Sequence, residues 1–81
     1  NMMEPILVEL DENCSTAEDI PHEGEEFGYV LEGKVAVVLG NKQHLCKKGE
    51  AFYYAAEKPH FIRNKGKNTA KFLWISTPPN F

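Results

Sequence analysis

The chain has 81 residues, 42% of them hydrophobic and 26% charged, with a net charge of −3. That length holds one domain, and the composition is that of a globular fold. No apolar run approaches the roughly 20 residues of a membrane-crossing helix, no basic start with an apolar stretch marks a signal peptide, and the acidic balance argues against a nucleic-acid surface on this piece.

Asn1 stands ahead of Met2 and Met3. It is not a natural start, so residues 1–4 are expected to be an artificial start or the edge of a fragment. Residues 5–81 are expected to form a single domain, located in the cytoplasm. Pro5 to Leu10 (PILVEL) reads as a first strand, and the polar DENCSTAEDIP stretch, Asp11 to Pro21, reads as a loop. Glu26 to Leu31 is a strand rich in Phe, Tyr and Val, closed by a turn at Glu32-Gly33. Lys34 to Leu39 (KVAVVL) is the next strand. Gly40-Asn41 is a hairpin signal, because both residues tolerate positive φ. Lys42 to Cys46 returns, and Gly49-Glu50 turns again. Ala51 to Ala55, His60 to Arg63 and Ala70 to Thr77 complete the strands. Pro78-Pro79 ends the last one, since proline cannot donate to a ladder. Short β-branched and aromatic runs, separated by turns every eight to twelve positions, predict an all-β sandwich or barrel. A domain this small has a marginal core, which dimerisation would enlarge.

Charge is unevenly spread. Every lysine and arginine follows Gly33, where only Glu50 and Glu57 are acidic; the other ten carboxylates precede it. The plain expectation is that the two parts meet with opposite charges paired on the surface. The sharper alternative is a basic docking face around Lys47, Lys48, Arg63, Lys65 and Lys67. Cys14 and Cys46 form no metal motif. Cys46 is expected to be a small buried hydrophobe, and Cys14 an exposed thiol.

Two groups can carry chemistry. His22 lies on a loop just before Glu26, which opens a strand; His60 opens a later strand, with Asn64 at its end. Two imidazoles and a carboxylate at strand entrances suit a divalent transition metal with open positions. The same three also suit the lining of an organic-ligand pocket, or a hydrogen-bonded structural cluster at a barrel mouth. Arg63, beside His60, can clamp a carboxylate. Tyr53 and Tyr54 cannot both line one pocket, because a strand sends neighbours to opposite faces; Tyr54 is assigned to it with His22, Glu26, His60 and Arg63. Tyr29, Tyr53, Tyr54, Phe52 and Trp74 are otherwise expected in the core, as is His44, which alternates with Cys46. No nucleophile elbow, P-loop or dinucleotide fingerprint is present.

The spacing resembles the two motifs of the cupin family. The first runs G-x5-H-x-H-x3-4-E-x6-G. Here three residues separate His22 from Glu26 and six separate Glu26 from Gly33. The second runs G-x5-P-x-G-x2-H-x3-N. Here ten residues separate Gly49 from His60 and three separate His60 from Asn64. The chain departs from the pattern at Ile20, which takes the place of the leading histidine, and at Ala55 and Glu57, which replace the proline and glycine. The leading glycine of the first motif is missing, with Asn13 nearby as a residue tolerant of a left-handed backbone. The resemblance implies a small antiparallel double-stranded β-helix, a jelly-roll barrel. It also implies three of four metal ligands, His22, Glu26 and His60, for zinc, iron, nickel or manganese.

HEGEEFGYVLEG, the opening MEPILVEL and the closing TPPNF resemble, more narrowly, the sensor domain of helix-turn-helix regulators of the xenobiotic-response-element type. That resemblance implies a homodimer and a small-molecule or metal effector held in the barrel. It implies DNA contact only through an upstream helix-turn-helix domain that this chain lacks, and no catalysis. The alternatives are a free-standing small metal-dependent cupin enzyme and a plain dimerisation module with an empty barrel.

Overall fold

The computed structural model describes residues 3–78, so Asn1 and the Pro79–Phe81 end of the TPPNF motif lie outside the described residues. Seven strands follow in chain order: β1 Glu4–Leu10, β2 Glu25–Glu32, β3 Lys34–Leu39, β4 Lys42–Lys47, β5 Ala51–Ala55, β6 His60–Asn64 and β7 Ala70–Thr77. All seven expected strands are present, and none is displaced by more than a residue at either end. They form two antiparallel sheets, one ordered β1-β7-β2-β5 and the other β4-β3-β6. This is the expected double-stranded β-helix.

Alternation fixes which residues meet between the sheets. In β2, Glu26, Gly28 and Val30 face inward; in β7, so do Ala70, Phe72, Trp74 and Ser76. With Val35, Val37, Cys46, Phe52, Tyr54 and Ile62 they fill the barrel. Gly28 is required by one of these neighbours. A β-carbon there would stand 2.0 Å from Cζ of Phe52, its cross-strand partner, so the ring occupies the space a side chain would take.

The Asp11–Pro21 stretch is not a plain loop. It climbs along the edge of β6 that β3 leaves open, with isolated bridges Ser15 to Arg63 and Asp19 to His60. Its polar side chains hide this role from a pattern reading. Asn13, at φ 64°, is left-handed, so it supplies the turn that the missing glycine would have made.

Three expectations about burial are corrected. His44 is exposed, because β4 is an outer strand with only Cys46 covered. Tyr29 and Tyr53 face outward, while Phe52, Tyr54 and Trp74 are core. Among the described residues, ion pairing between the acidic and basic parts is sparse: the lysine–carboxylate pair within reach is Lys71 with Glu32, at 4.0 Å. The cysteines are as expected, Cys14 exposed and Cys46 buried, and burial pushes the Cys46 thiol above its ordinary value.

Candidate metal centre at the barrel mouth

Glu26 enters the barrel from β2 and His60 from the first position of β6; both are buried. Their nearest atoms, Nε2 of His60 and Oε2 of Glu26, are 3.1 Å apart. His22, on the turn before β2, brings its own Nε2 to 3.1 Å from the same oxygen. Its backbone amide donates to the Ala56 carbonyl, which anchors that turn across the mouth. The two imidazole rings lie 5.2 Å apart between centroids.

A fourth donor comes from a residue that sequence reasoning did not single out. Asp19 exchanges backbone hydrogen bonds with His60, at 2.8 and 3.1 Å. That pairing sets its carboxylate Oδ2 at 3.5 Å from His60 Nε2 and 4.0 Å from His22 Nε2. Ile20, which occupies the expected histidine position, points into solvent at 77% exposure. The candidate ligand position lies one residue upstream of the expected histidine and offers a carboxylate in place of an imidazole. The only signal in the sequence was an acidic residue adjacent to the vacant position.

The ligand atoms of Asp19, His22, Glu26 and His60 all lie within 4.8 Å of one another. Donors bound to one transition metal at about 2.0–2.2 Å stand roughly 3–3.5 Å apart; the two 3.1 Å contacts and the 3.5 Å contact fall in that range, and the His22–Asp19 pair at 4.0 Å lies outside it. The hydrogen bonding around the ligands points the same way. Nδ1 of His60 donates to the Lys58 carbonyl at 2.8 Å, and Nδ1 of His22 to the Glu23 carbonyl at 3.1 Å. A carbonyl oxygen only accepts, so each Nδ1 carries hydrogen and each Nε2 is turned to the cluster. Two Nε2 lone pairs aimed at one carboxylate oxygen repel it unless a cation, either protons or a metal ion, lies among them. Two imidazoles with two carboxylates suit zinc, iron, nickel or manganese.

Glu26 is held for this task from its other oxygen. Oε1 accepts from Tyr54 Oη at 2.5 Å and from Trp74 Nε1 at 2.9 Å, which leaves Oε2 for the cluster. Burial, with the neighbouring Glu26, keeps the Tyr54 phenol protonated far above its ordinary range, so it serves as a donor. Thus His22, Glu26, His60 and Tyr54 are brought together, and Arg63 is not. It lies three positions after His60, an odd step that turns it to the outer face, over the Phe61 ring at 5.8 Å. Asn64 is likewise structural. Its amide donates to the carbonyls of Leu10 and Asn68 and accepts from the Gly66 amide, locking the far end of the barrel.

Residues 6–76 match the cupin domain family. The chain belongs to the cupin family. This cupin is 40% identical over 55 residues to the Methanocaldococcus jannaschii protein MJ1618, covering 68% of the chain and 44% of that protein. It is 28% identical over 67 residues to the HTH-type transcriptional regulator PuuR of Escherichia coli, covering 83% of the chain and 36% of the regulator. The chain therefore spans less than half the length of these relatives. Among solved structures, an HTH_3 family transcriptional regulator from Vibrio cholerae superposes with a TM-score of 0.85 at 23% identity, over 98% of the chain and 44% of the regulator. The cupin domain thus resembles those carried by helix-turn-helix regulators.

Proposed function

We propose that this cupin is the sensing domain of a helix-turn-helix regulator, and that the Asp19, His22, Glu26 and His60 cluster holds a divalent metal as effector or as anchor for a small-molecule effector. The observation that carries the metal reading is the convergence of four donors, three of them (His22, Glu26 and His60) with outward atoms fixed by carbonyls, a phenol and an indole, and the fourth, Asp19, placed by backbone pairing with His60. The regulator reading rests on the similarity to PuuR. The domain is not catalytic in this reading, acts in the cytoplasm, and contacts DNA only through an upstream domain.

An effector shifts a regulator only if it binds two states of the assembly with different affinity. The outer face of the four-stranded sheet supplies a surface for such an assembly. Met3, Leu7, Phe27, Tyr29, Leu31 and Tyr53 are all exposed there, with Leu73 and Ile75 half-buried among them. A contiguous apolar face of this kind is a protein-contact signature. A second copy of the chain, packing the same face by two-fold symmetry, is the occupant that serves paired DNA-binding domains.

The test is to express the chain with whatever its gene encodes upstream and measure DNA binding with and without zinc, manganese, nickel or iron. An upstream helix-turn-helix whose DNA affinity changes with metal supports the proposal. A start codon at Met2 or Met3, no DNA binding, and metal-dependent turnover would replace it with the small-enzyme reading.

A further inference from the structure

The opposite end of the barrel carries a second polar feature. The β2–β3 turn, the β4–β5 turn and the β6–β7 loop converge there around a cleft of about 700 Å³ lined by Lys34, Lys47, Lys48, Lys67, Glu50 and Asn68, with glycines between them. None of the four lysines makes an ion pair with a carboxylate within 4.0 Å among the described residues. Glu50, the one acid in the lining, has an oxygen engaged by the Lys47 backbone amide at 2.8 Å.

The arrangement is unfavourable for the empty protein. Lys34 and Lys47 are direct cross-strand partners in the β3–β4 ladder. Like charges placed directly opposite destabilise a sheet pair, and Lys48 and Lys67 add two more positive charges to the same cleft. A chain of net charge −3 with twelve carboxylates has ample acid to pair with them, yet it sets four lysines against the single carboxylate of Glu50 in this cleft. The missing compensation is anionic, and the four lysines line one open cleft that would receive it.

We infer that the lysine cleft at the base of the barrel binds a compact polyanion of the oligophosphate class. Lysine acts as a point charge without arginine's planar fork, so four of them select for charge density more than for the flat geometry of a carboxylate. The cleft is far larger than a single phosphate needs. Its four lysines line one open cleft at the barrel base, which favours a compact ligand over a nucleic-acid backbone. The inference is independent of the metal centre, which lies at the other end of the barrel.

The test uses the 81-residue chain, isotopically labelled and freed of metal by chelation, titrated with tripolyphosphate at low salt and followed by amide NMR. Citrate and duplex DNA are run in parallel. The expected result is saturable shifts confined to residues 33–34, 47–50 and 66–68, weakened by added salt. The double variant Lys34→Gln with Lys47→Gln should bind about tenfold more weakly. It should keep the wild-type spectrum elsewhere and a thermal midpoint no lower than wild type. Absence of saturable shifts below about 10 mM tripolyphosphate would overturn the inference. So would shifts centred on His22 and His60, unchanged affinity in the double variant, or citrate or DNA binding as tightly as tripolyphosphate.

Discussion

At the mouth of the barrel, Glu26 and His60 are 1% exposed or less, and among the described residues no buried side-chain polar atom lacks a partner. At the base, Lys34, Lys47, Lys48 and Lys67 are exposed and, among the described residues, carry no ion pair. The two ends place charge under different physics. Buried polar groups interact strongly and are costly to orphan; exposed ones are screened and cost little to change. The mouth should therefore couple binding to stability, and the base should bind with almost no effect on the fold.

The largest expected effect is at Glu26. Glu26→Ala removes the acceptor of Tyr54 and Trp74 and the partner of two histidines. Breaking a buried charged network costs roughly 3–5 kcal/mol, a large share of the 5–15 kcal/mol of a typical domain. Urea denaturation should show the variant unfolded or barely folded; wild-type stability would break the comparison at its strongest point. Tyr54→Phe comes next. It deletes one hydrogen bond and no packing, for a loss of about 1–2 kcal/mol. Freed from its clamp, Glu26 should then bind metal some 10- to 100-fold more weakly, which a metal titration reads directly. An equal affinity would mean that the phenol positions nothing.

Smaller still is the change for Leu7→Lys with Tyr53→Ser, two residues at 59% and 64% exposure on the apolar sheet face. Chain stability should move by less than about 0.5 kcal/mol, while self-association, followed by sedimentation, is lost. Retained dimers would place the interface elsewhere. The smallest effect belongs to the base. Lys34→Gln with Lys47→Gln relieves a like-charge pair and should leave stability unchanged or raise it by a few tenths of a kcal/mol; a clear loss would show that the lysines are structural.

The strands were legible because alternation, β-branched runs and glycine turns all agree, and the Glu26 and His60 positions followed from their spacing. Arg63 was legible and misassigned: strand period two, readable from the sequence, already sends it to the face opposite His60. Two features were not legible, each for a physical reason. Asp19 joins the cluster through backbone pairing with His60, an event between residues 41 positions apart that leaves no local pattern. The lysines of the base are scattered between residues 34 and 67, and only the crossings between the two sheets gather them into one cleft. What periodicity encodes is which face a residue takes; which loops meet at a barrel end is set by topology.

The most direct test of the account is calorimetric titration of chelator-treated protein with zinc and manganese, comparing wild type with Asp19→Ala. Asp19 is half-exposed, so its loss should leave the fold intact. The account predicts one metal per chain for wild type and a clearly weaker or absent site in the variant. No metal uptake by folded wild type, or identical uptake by the variant, would contradict a metal centre built on these four residues.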